Sequence, residues 1–323
     1  MMPRHRHALP QLSDTLFLTD GGLETTLVFH EKMDLPHFAA FDLMTSIEGR
    51  GTLRDYFIRY LTIARDSRAG FIFESPTWRA SRDWADKLGY SAAELADVNR
   101  ASIELMAGLR DEFDTSGLPM VLSGCVGPRG DGYRPDQTMG AAVAQAYHEE
   151  QIRVFAGTEV DMITAITMNT VDEAIGIVRA AEAVDMPVAV SFTLETDGRL
   201  PTGESLKDAI VAVDRATGGA PAYFMINCAH PSHFADVLQS GEPWITRIRG
   251  LRANASKRSH AELDAAPDLD DGNPTELANA YRELMGKLPR LNVLGGCCGT
   301  YHRHVEAIAK SCASHAHHAA YAA

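Results

Sequence analysis

Long apolar runs are absent: nothing in the chain approaches the ~18–20 consecutive apolar residues that a membrane-spanning helix needs. Basic charge is scarce as well. Thirty Lys and Arg stand against 43 Asp and Glu, a formal charge of −13 with His neutral, whereas proteins that grip nucleic acid present a basic stripe to the phosphates. Neither a nucleic acid nor a membrane is therefore an expected partner. Five cysteines are too few, and an odd number, for the disulfide framework of a secreted domain. The basic start, MMPRHRHALPQLSDTLFLTD, lacks the apolar core and small-residue cleavage site of a secretory signal. No glycine-rich dinucleotide turn follows the first apolar run, and no internal repeat precedes the His/Ala-rich end SHAHHAAYAA. These absences leave a cytoplasmic protein with a sizeable core, for which 45% apolar and 23% charged residues is an ordinary composition. A length of 323 residues allows one large domain or two ordinary ones.

What is present is an alternation. Short apolar runs rich in β-formers occur at TLFLTD (15–20), GFIFES (70–75), PMVLSGC (119–125), VDMITAI (160–166), PVAVSFT (187–193), AYFMINC (222–228), ITRIRGLRA (245–253) and LNVLGG (291–296). Most are continuously apolar, as parallel strands buried on both faces should be; the run at 245–253 is broken by Arg247, Arg249 and Arg252. Between them, apolar residues recur at helical spacing over 53–65, 94–110, 141–155, 172–184 and 274–288. The last opens on Asn273 as N-cap with Pro274 at the first helical position. Further helices are expected after Pro231, through SHFADVLQ, and over 301–312. This order predicts an α/β fold, a single-domain (β/α)₈ TIM barrel over 14–312, with an N-terminal extension at 1–13 and a flexible His/Ala-rich tail at 313–323. The surplus length falls in 21–47, 76–90, 126–139 and 254–272. An open doubly wound sheet also alternates, but the missing dinucleotide turn counts against it.

Barrel enzymes place their chemistry at the C-terminal ends of the strands, and polar residues gather there: Asp20, Glu74, Cys125, Thr167, Glu195, Cys228, Asn254, Cys297 and Cys298. Cys228 ends the sixth run and the pair Cys297–Cys298 ends the eighth, on one rim and one strand apart. Three thiolates on one point suit a tetrahedral Zn²⁺ with its fourth position open, and Gly295, Gly296 and Gly299 permit the tight backbone that turns neighbouring sulfurs to one ion. Cys125 and Cys312 read instead as small core hydrophobes. A thiolate-rich zinc is a weak Lewis acid, better suited to binding a substrate thiol and lowering its pKa than to polarising a carbonyl. The expected chemistry is alkyl transfer to sulfur.

TDGGLETTL (19–27), INC (226–228) and GGCCGT (295–300), in this order at these strand ends, resemble the homocysteine S-methyltransferase family, which includes betaine–homocysteine and S-methylmethionine–homocysteine methyltransferases. The resemblance covers roughly 14–312 and implies a zinc-bearing barrel that moves a methyl group from an onium donor to a thiol, homocysteine giving methionine. It implies that Cys228, Cys297 and Cys298 are zinc ligands, and that Asp20, Gly21 and Gly22 hold the ammonium and carboxylate groups of an amino acid. Ser75 and Thr77 occupy the second strand's end, where the family binds the substrate carboxylate; Glu24 and Asn227 complete the substrate-binding set. Two positions depart from the pattern. Ile166 stands where the family has a glutamate for the homocysteine ammonium, and Glu74 stands where it more often has a neutral residue. Either Glu74 takes over the ammonium or the acceptor is another thiol.

Smaller signals remain open between two readings. Glu195 and Asp197 lie either on a substrate-facing loop or on a capped turn into the next helix. Trp78, Trp84, Tyr133 and Phe41 form a cation–π wall for the donor or are packing residues. His230 and His233 are a fourth ligand or helix caps, and His315, His317 and His318 read as a solvated tail. The leading expectation is a zinc-dependent S-methyltransferase whose partners are a small-molecule thiol acceptor and a methyl donor, compatible with a homo-oligomer. The same barrel and zinc could serve another thiol or demethylate another compound. A protein of another class, storing zinc or sensing redox state through the same cysteines, would lack any use for the loop at 19–27.

Overall fold

A computed structural model describes residues 2–114, 117–136 and 138–319, with side chains as far as residue 313. Eight parallel strands close in chain order: β1 Phe17–Leu18, β2 Gly70–Glu74, β3 Met120–Val126, β4 Met162–Met168, β5 Val188–Thr193, β6 Tyr223–Asn227, β7 Ile248–Ala253 and β8 Val293–Gly296. β1 pairs with both β2 and β8, so the sheet is a barrel and not an open sheet. Every strand falls within, or overruns by a residue or two, one of the eight apolar runs.

The broken run at 245–253 resolves once its arginines are placed. Pro243–Arg247 is a 3₁₀ turn outside the sheet, where Arg247 reaches Asp214 at 2.8 Å. Arg249 donates to the carbonyls of Gln11 and Ser13 at the N-terminal end of the barrel, and Arg252 points inward near the other end. Each of the three arginines has hydrogen-bond or ion-pair partners, as burial demands, with the buried Arg252 Nη1 left over.

The helices follow their caps. Ser46 caps Ile47–Asp66 and a Ser91–Glu94 capping box opens Ala92–Phe113, which begins both helices earlier than the apolar spacing marks them. Asn273 accepts from Thr275 and Glu276 at the start of Pro274–Lys287, as expected. The helix after Pro231 is only Pro231–Phe234. A helix unmarked in the sequence, Leu206–Thr217, starts on Ser205 and buries Leu206, Ala209, Ile210 and Val213. The last helix spans His302–Ala319; the side chains of His315, His317 and His318, and residues 320–323 of the expected tail, lie outside what is described. Among the described residues no helix is long and apolar enough to cross a membrane.

The barrel interior changes character along its axis. At the N-terminal end, Phe17, Ile72, Val121, Met162, Tyr223 and Val293 form an apolar plug that includes Leu9. The chain start closes over it: His5 N donates to Asp161 and Asn292 Nδ2 to the carbonyls of Gln11, Ser13 and Thr15. Nearer the C-terminal ends, the alternation of strand side chains brings Glu74, Ser123, Thr164, Ser191, Asn227 and Arg252, all buried, to the inside. A dry plug beneath a polar layer leaves the strand C-termini as the place for a site.

Candidate active site

A cavity of about 350 Å³ opens at those C-termini. Its wall includes Asp20, Gly21, Gly22, Glu24, Glu74, Ser75, Cys228, Cys297 and Cys298, together with Trp78, Arg79, Tyr133, Ile166, Thr167 and Arg252. Thr77 and Asn227 stand behind the wall. Thr77 donates to the Cys125 carbonyl at 2.8 Å and shares a hydrogen bond with the Ser75 hydroxyl, which in turn accepts from Cys125 N at 2.9 Å. Both hydroxyls thus brace the end of β3. Cys125, expected in the core, is buried but faces the cavity.

The sulfurs of Cys228, Cys297 and Cys298 lie within 4.8 Å of one another. Cys228 and Cys297 are joined through their sulfurs, and Cys298 Sγ stands 3.9 Å from Cys228 Sγ. A tetrahedral zinc with Zn–S near ~2.3 Å spans sulfurs roughly 4 Å apart. Once reduced, the three therefore fit that ion by donor chemistry and by convergence. Neither His230 nor His233 belongs to the cluster: His230 caps Pro231–Phe234 and His233 meets the Lys257 carbonyl.

The backbone that aims these sulfurs is tightly fixed. Cys228 has φ +52°, and its N–H donates to the Arg252 carbonyl while its carbonyl accepts from His260 Nε2. Cys297 N donates to Ala253 and Ala255 N donates to Cys298. The loop after β1 crosses so close that a Cβ on Gly22 would lie 2.5 Å from the Cys297 carbonyl oxygen. Any side chain there would push the cysteine loop away, so glycine is required at this contact.

Asn227 organises the neighbouring strand end. Its Oδ1 accepts from Thr167 N at 3.0 Å and Ser191 Oγ at 2.6 Å, and its Nδ2 donates to Thr167 Oγ1 at 2.9 Å. Thr167 sits at φ +64°, where the β4–β5 register slips between Ala165 and Met168. This bulge is what presents Ile166 to the cavity.

Charge in the cavity is divided. Asp20 pairs with Arg252 at 2.8 Å and accepts from the Tyr56 hydroxyl at 2.9 Å. Burial pushes the Glu74 carboxyl up to about 7, opposed by the nearby Arg252 guanidinium, and burial likewise lifts Glu24 to about 7. Tyr133 lies over the sulfurs, its hydroxyl 3.1 Å from Cys298 Sγ and its ring stacked on His260 at 3.9 Å. Burial raises the Cys298 thiol, and the Tyr133 hydrogen bond works the other way.

Of the proposed aromatic wall, Trp78 and Tyr133 line the cavity. Trp84 instead stacks on Arg79 and Lys87, and Phe41 packs on Tyr90. Glu195 buttresses His260 at 3.1 Å from outside the cavity, whereas Asp197 caps the turn at Arg199. Sequence reasoning passed over Arg252, Arg79 and His260. An arginine one residue from the C-terminal end of a barrel strand, where active-site residues gather, was the available signal for Arg252; nothing comparable marked the other two.

The model of the homocysteine S-methyltransferase family matches residues 17–312. Homocysteine S-methyltransferase 1 of Zea mays is 24% identical over 326 residues, spanning 90% of this chain and 92% of its own. The homocysteine methyltransferase MmuM of Escherichia coli has the same fold in its oxidised form, with a TM-score of 0.73, 18% identity and coverage of 93% of this chain and 97% of that one. Its metallated form matches with a TM-score of 0.73, 19% identity and coverage of 94% and 98%.

Proposed function

The chain belongs to the homocysteine S-methyltransferase family, and from this we propose that it moves a methyl group from an onium donor to a small thiol, homocysteine foremost, giving methionine. The observation that carries the reading is the convergence of three cysteine sulfurs within 4.8 Å in the wall of a cavity closed at its far end. In reduced form Cys228, Cys297 and Cys298 would hold zinc. Zinc, when bound, supplies the positive charge that acidifies an acceptor thiol, so that its sulfur is nucleophilic at neutral pH.

The chain's own residues do the rest by holding the reactants. Ile166 offers no charge to an acceptor ammonium, and Glu74, two strands away on β2 and also buried, is the carboxyl that takes it. Trp78 and Tyr133 present ring faces and Glu24 a carboxyl to a sulfonium or quaternary ammonium donor. The acceptor sulfur forms the new S–CH₃ bond as the bond from methyl to the onium atom breaks. The electron pair stays on the leaving atom, which departs neutral, and the thiol proton has already gone to solvent. Alignment of the two reactants supplies most of the acceleration. A chemistry that needs free thiolates places the reaction in the cytoplasm, where thiols stay reduced.

Ile166 also favours a second reading, in which the acceptor is a thiol other than homocysteine. One experiment separates the possibilities. Reduced protein is loaded with zinc and assayed with a panel of onium donors and homocysteine, reading methionine by mass spectrometry. About one zinc per chain, lost in Cys298→Ser together with activity, is expected. Full zinc in that variant would remove Cys298 from the ligand set. Zinc without methionine from any donor would move the acceptor outside the homocysteine class.

A further inference from the structure

Cys228 leaves β6 in the left-handed region, at φ +52°, which a residue bearing a Cβ keeps only where its surroundings enforce it. Both peptides that flank its Cα are tied. Its N–H donates to the Arg252 carbonyl at 3.1 Å, and its carbonyl accepts from His260 Nε2. With both peptide planes fixed, the Cα–Cβ bond has one direction and the sulfur can turn only about χ1. The Arg252 tie continues the pairing of β6 with β7. The His260 tie does not: it comes from a side chain 32 residues further on, at the first residue of the short helix His260–Asp264.

His260 is itself aimed from several directions. A capping box of Ser259 and Glu262 fixes the start of its helix. Its Nδ1 meets Glu195 Oε1, from the loop after β5, at 3.1 Å, and the Tyr133 ring lies on its face at 3.9 Å with 15° between the planes. Arg134, next to Tyr133, pairs with Asp264 of the same helix at 3.2 Å. His260 is 5% exposed. One of its nitrogens faces a backbone carbonyl and the other a carboxylate, so neither is turned to the sulfurs. Without being a ligand, His260 bears on two of the three cysteines. It reaches Cys228 through the carbonyl, and Cys298 through Tyr133, whose hydroxyl stands 3.1 Å from Cys298 Sγ.

We infer that His260 is a positioning residue for the metal. Aimed by Glu195, it holds the Cys228 backbone in the conformation that turns Sγ toward Cys297 and Cys298, and so sets how tightly the three sulfurs bind zinc. This inference rests on the reading of the sulfur cluster as a zinc site. It joins the loops after β5 and β7 to a centre whose cysteines follow β6 and β8, and it lets metal affinity change with no ligand touched. Groups that hold a ligand in place matter to affinity nearly as much as the ligands do.

Glutamine and asparagine separate the two ring nitrogens, because a glutamine amide reaches the place of Nε2 and an asparagine amide that of Nδ1. Zinc affinity of the reduced, full-length protein is read by competition with a chromophoric chelator. Cobalt substitution adds the thiolate-to-cobalt absorption, whose intensity follows the number of cobalt–sulfur bonds. His260→Asn, which leaves the Cys228 carbonyl without its donor, is expected to weaken zinc binding by about 10–100-fold and to lower the cobalt band. His260→Gln, which restores that donor, should stay within about threefold of wild type. Glu195→Ala, at a partly exposed position where folding is not at stake, should weaken zinc by about threefold or more. Wild-type affinity in His260→Asn or in Glu195→Ala overturns the assignment. So does an equal loss in His260→Asn and His260→Gln, which would make packing on Tyr133 the cause. If His260→Asn does not fold, Glu195→Ala and His260→Gln decide. A wild-type protein that takes up no zinc would end the zinc reading itself; zinc held equally by all four proteins would end only the role of His260.

Discussion

Replacing Asn227 tests how the site is held, because so much of the strand-end geometry passes through one amide. The side chain is fully buried, and it accepts from Thr167 N and Ser191 Oγ while donating to Thr167 Oγ1. Asn227→Leu keeps the branch at Cγ, adds some bulk, and removes these three bonds together with the longer contact from Nδ2 to Cys297 Sγ. The two hydroxyls can rotate in search of other partners, but Thr167 N–H cannot move without the backbone, and an orphaned buried donor costs about 1–3 kcal/mol. Two further hydrogen bonds at about 1 kcal/mol each bring the expected loss to about 3–5 kcal/mol. Thr167 is also a β-branched residue at φ +64°, a conformation that persists only where its surroundings enforce it. Urea unfolding of the zinc-free, reduced proteins gives the loss as a shift in midpoint at unchanged slope. Ser191→Ala, which removes one bond of the three, serves as the control at about 1 kcal/mol. A loss in Asn227→Leu no larger than in Ser191→Ala would refute the reasoning. It would show that barrel packing, and not the amide, enforces the bulge that presents Ile166.

Glu74 carries a pH signature. Its carboxyl is lifted to about 7 from an ordinary value of 4.5, so the folded chain holds this proton more tightly than the unfolded one. The stabilisation is complete below about pH 4.5 and is lost as pH rises through about 7. Melting temperatures of wild type and Glu74→Gln should therefore diverge between about pH 5 and pH 8, the wild type losing ground, and parallel profiles would contradict the assignment. The donor wall makes a kinetic prediction: Trp78→Ala should raise the donor KM by a factor of about 2–30, as a cation–π contact of ~0.5–2 kcal/mol requires, with the acceptor KM unchanged. An equal rise in both would mean that Trp78 merely shapes the loop.

The barrel was legible because most strands are buried on both faces and so read as largely apolar runs; β7, with Arg249 and Arg252, is the exception. The sulfur cluster was legible for a related reason: Cys297 and Cys298 follow two glycines that no ordinary strand end requires, and Cys228 ends a run one strand away. Leu206–Thr217 escaped notice because its start signal, Ser205, follows a loop rich in polar residues that reads as continuous. The supports of the site were illegible in a deeper sense. That Thr77 turns away to the Cys125 carbonyl, that Tyr133 leans onto His260, or that Asn227 clamps Thr167 depends on register between strands distant in sequence. No local pattern encodes such partners.

The two halves of the site are held by different means, and this bears on how specificity is set. The sulfurs depend on backbone: Gly22 packed on the Cys297 carbonyl, and amides of residues 228, 255 and 297 tied to the β7 and β8 ends and the turns that follow them. The floor of the cavity depends on side chains, namely Asp20, Glu74, Ile166 and Arg252, which line it from β2, β4, β7 and the loop after β1. Backbone contacts tolerate little change, because moving one carbonyl moves a sulfur. Side chains in a walled cavity can be exchanged in compensating sets, since what the floor must conserve is charge balance. Arg252 cancels Asp20, and the Glu74 carboxyl, lifted to about 7 by burial, gains or loses its charge near neutral pH. If the sulfurs hold zinc as proposed, one zinc-thiolate centre can sit above a floor whose contacts are arranged anew, and exchanging floor residues should change which thiol is accepted while zinc content stays the same.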